Sequence, residues 1–359
     1  MVRKFIVTVI TLAVISPLFA QDTTVTTVKE EPKPLQITGF VDVYYRYDFS
    51  ANLANNRTSF TNSHNSTQLG MASIRFEHSF GKVGFVADLG FGKRAQEFSY
   101  NETGIVQAIK QLYVTYSPKD WLKFSLGTWA THIGYESVDA PVNRNYSMSY
   151  MFSWGPFTHT GLKAEATRGK NGFMLGVVSQ TDFKNAPLNS KKHVIAQYSY
   201  AFSDNVKVYL NYVGGKRFTD SARTSQYDIV VNAKLSDKFG IGYNGTVSTT
   251  KYQVNNKYEA QVQTWWGSAV YLNFDPIEKL GITLRSEFFG DQKQLVAMSL
   301  APEGANIFAN TLSFNCKVGP LTIVPEIRFE TATNKVYYKK DGSPLSTNTS
   351  ALVAAYYKF

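Results

Sequence analysis

Cysteine is almost absent from this chain of 359 residues, in which Cys316 is the only one. A single thiol cannot form a disulfide within the chain, and its place in a strand-like stretch favours a small packing residue over a reactive group. The chain also lacks a glycine-rich phosphate loop and the Cys and His spacing of a zinc site. We therefore expect no cofactor, no metal and no nucleic-acid partner.

Long hydrophobic runs are also missing, except for one at the start of the chain. The apolar run from Phe5 to Ile15 follows Arg3 and Lys4 and leads into a stretch that ends at Ala20. This order is typical of a secretory signal peptide, whereas a membrane anchor needs about 20 apolar residues. We assign residues 1–20 to a signal peptide and the polar, proline-containing residues 21–34 to a disordered periplasmic lead-in.

The exported chain is mildly basic and rich in aromatic residues. Its formal net charge of +10 falls to +8 once Arg3 and Lys4 leave with residues 1–20, which hold no acid. Without a second long apolar run, such a chain can cross lipid only as a closed barrel, which satisfies every backbone group. The 14% of aromatic residues favours that barrel. A soluble periplasmic or secreted protein is the competing possibility.

Apolar and polar residues alternate with a period of two from Leu35 to the end of the chain. In the first segment, Val41 and Val43 take one face while Asp42 and Arg46 take the other. About sixteen such segments can be counted, which predicts that residues 35–359 form a transmembrane antiparallel up-and-down β-barrel. The predicted segments are 35–48, 67–79, 82–92, 104–117, 121–131, 156–168, 171–181, 191–203, 205–216, 224–235, 238–249, 259–274, 279–290, 304–317, 320–331 and 346–359.

The connections between these segments alternate in length. Tight turns such as Gly169-Lys170 and Ser203-Asp204 are separated by longer polar stretches such as 132–155 and 332–345. Short turns at one rim and long loops at the other are typical of a bacterial outer-membrane barrel, and an even strand number places both termini on the periplasmic side.

Charge placement supports the barrel further. A lysine or arginine that faces lipid at the bilayer midplane costs about 2 to 4 kcal/mol, so most charges must point inwards. The charged residues of the predicted strands share the polar face, as do Lys207 and Asp228, whereas a soluble sandwich would not need so clean an apolar face. The predicted pore-lining residues are Asp42, Arg46, Arg75, Glu77, Asp88, Lys123, Lys163, Glu165, Arg285, Glu287, Glu326 and Arg328.

One segment departs from the alternation. In residues 104–117 the apolar Ile105 and Ile109 share a face with Gln107 and Gln111, so neither face is clean. A β-bulge or a different register is expected there.

The chain ends in an aromatic residue. Val353, Tyr357 and Phe359 lie on one face of the last segment, with Phe359 as the final residue. This resembles the C-terminal signal through which outer-membrane barrels are recognised for assembly, although the small Ala355 leaves the match incomplete. We therefore expect Tyr357 and Phe359 to contact the barrel-assembly machinery.

Several stretches resemble the OmpL-like β-barrel porins of Gram-negative bacteria, especially the Bacteroidetes type. They are Gly39 to Tyr45, Thr131 to Ser137, Asn143 to Tyr150 and Gly155 to Gly161. The resemblance spans the mature chain and is most specific over residues 39–161. It implies a porin in the cell outer membrane, surrounded by outer-membrane lipid.

Strand number predicts a channel. A barrel of about eight strands is filled by its own side chains, whereas sixteen to eighteen leave a water-filled lumen. Walls of mixed charge suit the passive diffusion of small hydrophilic solutes. The net charge suggests a mild preference for anions. A homotrimer, the usual state of sixteen-stranded porins, is kept as the candidate oligomer, although the residues identify no protomer interface.

The longest loop, 132–155, follows the fifth segment, the position from which the third loop of sixteen-stranded porins folds inwards. We predict that it forms the constriction and that its charges set a transverse field, with a surface loop that caps the barrel as the alternative. The residues assigned to the constriction are Glu136, Asp139, Arg144, Tyr135 and Tyr146.

Two other functions compete with the channel. A non-conducting barrel would act as an adhesin or as a subunit of an envelope complex, with its loops as the functional part. An outer-membrane hydrolase would need a histidine beside a nucleophile and an acid, and His64-Asn65-Ser66 is the only suggestive cluster. No carboxylate can be placed beside it from the sequence, so we do not predict an enzyme.

Overall fold

A computed structural model describes residues 34–188, 190–255 and 257–359. Within these residues, sixteen antiparallel strands pair in chain order, and the last strand pairs with the first to close a barrel. The prediction of a sixteen-stranded antiparallel barrel is confirmed. The predicted signal peptide, and the predicted lead-in up to residue 33, lie outside the described residues.

We number the sixteen barrel strands β1 to β16 in chain order. They are β1 (Gln36–Asp48), β2 (Ser66–Phe80), β3 (Val83–Phe91), β4 (Ile109–Lys119), β5 (Leu122–Ala130), β6 (Thr158–Arg168), β7 (Asn171–Val178), β8 (His193–Ser203), β9 (Val206–Lys216), β10 (Arg223–Lys234), β11 (Phe239–Lys251), β12 (Gln263–Ile277), β13 (Leu280–Asp291), β14 (Ala305–Val318), β15 (Leu321–Ala332) and β16 (Thr347–Lys358).

Helices and small hairpins occur in the long connections. The helices are α1 (Lys93–Phe98) and α2 (Tyr150–Trp154), with 3₁₀ turns at Leu53–Asn55, Gly104–Ala108 and Ala140–Val142. Gln253–Val254 pairs with Lys257–Tyr258, and Tyr337–Tyr338 pairs with Pro344–Leu345. Among the described residues, no helix has the length and apolar character needed to cross a membrane.

Side chains alternate between the two faces of the wall because successive residues of a strand point to opposite sides. In β1, Val41 and Val43 are exposed on the outside, whereas Asp42, Tyr44 and Arg46 point inwards and are buried. The outer face is apolar and aromatic around the barrel, as at Phe85, Leu126, Phe173, Leu210, Tyr227, Leu272, Ile327 and Val353.

The two rims differ in the length of their connections. Successive strands at one rim are joined by short turns, and Gly81 and Gly169 adopt φ of +54° and +56° there, a conformation that glycine reaches without strain. At the other rim the connections are longer, and the longest, residues 131–157, joins β5 to β6. The alternation of turns and loops agrees with the sequence.

The irregular fourth segment has a structural explanation. Residues 104–108 form a 3₁₀ turn, and β4 begins only at Ile109. The pairing of β3 with β4 shifts register between Asp88 and Leu89. The predicted strand start at residue 104 was therefore wrong, because a helical turn and a register shift both break the two-residue period at this point.

The chain end closes the barrel. Phe359 and Gly39 exchange backbone hydrogen bonds, each N–H donating to the other carbonyl at 3.0 Å. A Cβ at position 39 would stand 2.7 Å from Cζ of the Phe359 ring, so glycine at this position leaves space for the terminal ring. The side chains of Tyr357 and Phe359 are exposed on the outer face. Their role in assembly remains a prediction.

The outer face of β10 permits a direct test of the lipid-facing assignment. Ile229 lies on the outer face near the middle of β10, whereas Asn232 on the same strand points inwards and is exposed. Ile229→Arg should lower the free energy of unfolding from bilayers by about 2 to 4 kcal/mol, because the guanidinium must enter lipid. Asn232→Arg should change it by less than about 0.5 kcal/mol. Equal losses in denaturant titrations of the two variants would contradict the assignment.

Candidate functional site: a segment folded into the barrel

The connection between β5 and β6, residues 131–157, folds into the barrel. The first and last residues of this connection are joined by a hydrogen bond, in which the Thr131 N–H donates to the Phe157 carbonyl at 2.8 Å. Farther along, the Tyr146 hydroxyl donates to the inward-pointing Asp42 of β1. The Gly134 N–H donates at 3.1 Å to Asp228 of β10, far around the wall. A segment that contacts inner side chains of such distant strands must cross the lumen. We call residues 131–157 the inner segment.

The inner segment first runs along β10 and β11. Beside the bond from Gly134, the Tyr135 N–H donates to the Asn244 side chain at 3.3 Å. Asn244 in turn donates to Asp228 at 2.5 Å, so these two side chains form one polar platform. A Cβ at Gly242 would stand 2.5 Å from the Tyr135 ring, so glycine at this position of β11 leaves space for the ring.

Glu136 hydrogen-bonds to β12 and β13 of the wall and also to Ser149 within the inner segment. One carboxylate oxygen accepts from Arg285 at 2.6 Å and from the Tyr271 hydroxyl at 3.1 Å. The other oxygen accepts from the Ser149 N–H at 2.8 Å and the Ser149 hydroxyl at 2.9 Å. The Glu136–Arg285 ion pair is almost fully buried. With these partners the buried carboxylate is fully hydrogen-bonded, as a charge in such a place must be.

Arg144 holds the inner segment to the turn-side half of the wall. Its guanidinium contacts Asp275 of β12 through two nitrogens, at 3.1 and 2.6 Å. Its Nε donates to the Thr283 hydroxyl of β13 at 2.7 Å. A two-point contact between guanidinium and carboxylate fixes orientation as well as distance. Both partners of this pair remain about one third exposed.

Wall carboxylates receive the backbone of the inner segment. Glu326 of β15 accepts from the N–H groups of Tyr146 and Ser147, at 2.8 and 3.2 Å. Glu287 of β13 accepts from the first two N–H groups of α2, those of Tyr150 and Met151, at 2.9 and 3.0 Å. An irregular chain inside the barrel has no sheet partner for these donors, so the wall carboxylates provide the acceptors.

Wall arginines bind the carbonyl groups of the same stretch. Arg285 donates to the Ser147 carbonyl at 2.7 Å and to the Met148 carbonyl at 3.2 Å. Arg328 donates to the Met148 carbonyl at 2.7 Å. Acids and arginines of β13 and β15 together bind four N–H groups and two carbonyl groups of residues 146–151. These wall charges therefore bind the inner segment.

A second buried network holds Asp139. The Lys110 ammonium of β4 lies 2.6 Å from Asp139 and 3.0 Å from Asp88 of β3. Arg94 of α1 donates to the Val138 carbonyl at 3.2 Å. Burial raises the pKa of the Asp139 carboxyl above its ordinary value, and the Lys110 charge opposes that shift. The network joins the middle of the inner segment to the β3–β4 side of the wall.

Tyr146 lies at the centre of these contacts. Its side chain is buried, its ring lies 4.6 Å from the Arg94 guanidinium carbon, and its hydroxyl donates to Asp42. Burial raises the pKa of Tyr146 well above its ordinary value. The phenol therefore keeps its proton and remains the donor to Asp42. All five residues assigned to the constriction from the sequence belong to the inner segment and contact the wall.

The residues predicted to line the pore divide into two groups. One group faces inwards but is buried, mostly beneath the inner segment: Asp42, Arg46, Asp88, Arg285, Glu287, Glu326 and Arg328. The other group keeps side-chain surface exposed inside the barrel: Arg75, Glu77, Lys123, Lys163 and Glu165. Only the second group of the twelve predicted pore-lining residues therefore has side-chain surface exposed in the lumen, because the inner segment and, at Arg46, the connection between β1 and β2 cover the first group.

Two cavities lie on opposite sides of the inner segment. One, of about 230 Å³, is on the long-loop side and is lined by Gln226 and Ser248 among others. The other, of about 320 Å³, is on the turn side and is lined by Asn232, Tyr135 and Arg144 among others. The platform formed by Asp228 and Asn244 lies between them along β10 and β11.

Sequence reasoning missed several residues of the site. Arg94 and Lys110 are fully buried and contact the inner segment. Arg94 lies in the connection before the irregular fourth strand, and Lys110 lies near the start of that strand, where periodicity could not assign a face. Asp275 follows an apolar stretch close to a turn, and no local pattern pairs it with Arg144. Contacts between residues so far apart in the chain leave no signal in a single sequence.

His64, the histidine of the cluster considered for a hydrolase, lies against the end of β1. His64 accepts a hydrogen bond from the Asp48 N–H at 3.1 Å and packs against the Tyr47 ring. His132 and His159 lie side by side, with ring centroids 5.1 Å apart. In the part of the chain that the structure describes, no group of three His, Cys, Asp or Glu residues is arranged to hold a metal ion.

Comparison with solved structures finds the same fold in outer-membrane proteins. The outer membrane channel DcaP of Acinetobacter baumannii is 13% identical, with a TM-score of 0.63 over 90% of this chain and 97% of that chain. The anion-selective porin of Comamonas acidovorans is 9% identical, with a TM-score of 0.62 over 92% of this chain and 100% of that chain. OmpT of Vibrio cholerae, in a trimer form, is 9% identical, with a TM-score of 0.58 over 91% and 99%.

Comparison at the level of sequence identifies the family. No curated protein matches the chain significantly. The family model described as "Putative beta-barrel porin-2, OmpL-like" matches residues 34–359, which is the whole barrel. This match and the porin structures place the chain in the outer membrane. The chain therefore belongs to the OmpL-like family of outer-membrane β-barrel porins.

Proposed function

We propose that this porin is a water-filled channel for the passive diffusion of small hydrophilic solutes and that the inner segment forms its constriction. The observation that carries the proposal is the path of residues 131–157 across a sixteen-stranded barrel, between one cavity on the loop side and another on the turn side. At Gly134 and Tyr135 the inner segment is hydrogen-bonded directly to Asp228 and Asn244 of the wall. Solutes would therefore pass it on the opposite side, where Lys123 and Glu165 keep exposed surface, and we propose that the narrowest point lies between the inner segment and that part of the wall.

The charges of the inner segment act as anchors in this proposal. Glu136 is paired with Arg285, Asp139 with Lys110, and Arg144 with Asp275. A charge neutralised by a partner less than 3 Å away contributes little field across a pore. We therefore propose that these ion pairs hold the constriction at a fixed distance from the wall, and that they do not set the transverse field expected from the sequence.

The exposed inner wall supports a preference for anions. Lys123 and Lys163 share one acid, Glu165, at 3.2 and 3.3 Å. Lys207 points inwards from β9, and its ammonium lies 5.0 Å from the Tyr209 ring. This stretch of wall thus has more cations than acids, which raises the local concentration of anions in the lumen.

We also propose the enzyme status, the oligomeric state and the partners of this protein. We propose a non-enzymatic protein, because His64 is held by a backbone hydrogen bond and the predicted cluster has no acid partner among the described residues. A homotrimer is proposed because a similar barrel, OmpT of Vibrio cholerae, is described in a trimer form. Outer-membrane lipid surrounds the apolar outer face, and Phe359 is proposed to contact the assembly machinery. The alternative function is a non-conducting adhesin or a subunit of an envelope complex. Recordings in planar bilayers distinguish it from a channel.

Removal of the constriction should widen the channel. Deletion of residues 138–152 should raise single-channel conductance at least about twofold in planar bilayers, because the narrowest cross-section limits the current. Arg285→Met should give larger and noisier currents, because it removes the guanidinium that pairs with Glu136 and donates to the Ser147 and Met148 carbonyls. Deletion of residues 253–258 is the matched control and should leave conductance unchanged, because the paired Gln253–Val254 and Lys257–Tyr258 lie outside the ring of barrel strands. Unchanged conductance after deletion of 138–152 rules out the constriction, and absence of current in the unmodified protein favours the non-conducting alternative.

Charge reversal on the open wall should change ion selectivity. Lys163→Glu should shift the reversal potential in a KCl gradient towards cations, because the inner wall loses one partly exposed cation and gains an acid. Lys82→Glu makes the same change in charge at a turn on the rim and should shift it far less. Identical shifts in both variants would show that overall charge, and not this stretch of wall, sets the preference.

A further inference from the structure

A row of cations crosses three adjacent strands at the long-loop rim. Arg223 at the start of β10 is directly opposite Lys216, the last residue of β9. On its other side Arg223 is directly opposite Lys251, the last residue of β11. We call Lys216, Arg223 and Lys251 the rim row. Residues directly opposite one another have Cβ atoms about 5 Å apart, so three like charges are held at close range.

The rim row lies on the outer face of the barrel. Arg223 has the same parity in β10 as the outward-facing Tyr227 and Ile229, and its register partners share its face. Directly below it towards the membrane, Tyr227 and Leu210 are exposed on the outside. The cations therefore stand where the apolar belt ends, outside the lumen.

The rim row has no acidic partner among the described residues. No carboxylate oxygen in that part of the chain lies within 4.0 Å of the charged nitrogens of Lys216, Arg223 or Lys251. The nearby Asp220 is already occupied by Arg217, which makes two hydrogen bonds to it. The Tyr258 ring lies between two members of the row, 5.4 Å from the Lys216 ammonium and 5.5 Å from the Arg223 guanidinium carbon.

The rest of the rim provides a contrast. Outward positions at the same end of other strands are uncharged, as at Tyr47 of β1, Phe91 of β3 and Thr331 of β15. Lys192, the residue before β8, extends the row by one further cation. The cations are thus confined to β8–β11. Like charges directly opposite one another destabilise a sheet, so the arrangement calls for an anion that spans the strands.

We propose that the rim row binds the phosphorylated headgroup of an outer-leaflet lipid. The long loops of outer-membrane barrels are extracellular, so the row stands at the level of the outer-leaflet headgroups. A phosphate accepts hydrogen bonds from Arg and Lys together, and a headgroup with two phosphates can reach both ends of the row. The acyl chains of the same lipid would lie against Leu210 and Tyr227 below. Position at the edge of the apolar belt favours a lipid over a free anion.

Native mass spectrometry of the detergent-purified full-length barrel tests the proposal, with lipid A that carries two phosphates as the probe. The triple variant K216Q/R223Q/K251Q should bind at least about tenfold less lipid A, because it removes the three charged donors that would bind the phosphates. The same lipid without phosphates should bind weakly to the unmodified protein and equally weakly to the variant. Inorganic phosphate should not displace bound lipid A.

A matched variant separates this site from general electrostatics. K82Q/K119Q/K317Q removes the same charge at the opposite rim and should leave lipid A binding within about twofold. Arg223→Lys keeps the charge and should retain binding, and heat-modifiable migration in gels checks that each barrel is folded. Equal losses in the two triple variants, equal binding of the dephosphorylated lipid, or displacement by inorganic phosphate would each overturn the proposal.

Discussion

The structure depends on one constraint: a stretch of irregular backbone inside a barrel must have its polar groups satisfied by the wall. Residues 131–157 cannot pair with a strand, since the strands of the wall already pair with each other. Glu326 and Glu287 therefore accept pairs of backbone N–H groups, and Arg285 donates to backbone carbonyls. Without these partners, each buried donor or acceptor would carry a desolvation cost of about 1 to 3 kcal/mol.

The same constraint divides the charged interior into two functional parts. On the β13–β15 side, ions are buried and bind the inner segment. On the β5–β6 side, Lys123, Lys163 and Glu165 keep part of their side-chain surface exposed, which would make them available to solutes. Inward charges are tolerated throughout because lipid never meets them, but only the second set can influence permeation. The outer cations at Lys216, Arg223 and Lys251 belong to neither set, since they face the membrane boundary.

Much of the fold could be read from the sequence, and the candidate site only in part. The two-residue period identified the wall, its strand number and the face of the wall charges other than Lys110, because a strand has that period wherever it lies. The inner segment was recognised by its length and position, and Glu136, Asp139, Arg144, Tyr135 and Tyr146 all belong to it. Their partners Lys110, Asp275 and Arg94 were not found, because contacts between distant segments depend on the closed barrel.

The sequence by itself indicated an outer-membrane barrel and, outside the irregular fourth strand, which side chains point inwards, since alternation and the high cost of charge in lipid favour that arrangement over a soluble protein. Only the tertiary structure decided which of those inward charges meet water. That outcome depends on where residues 131–157 cross the lumen, and their path is set by ion pairs such as Glu136–Arg285 and Arg144–Asp275 between residues more than 100 positions apart. The register of β9, β10 and β11 likewise decided that Lys216, Arg223 and Lys251 stand side by side.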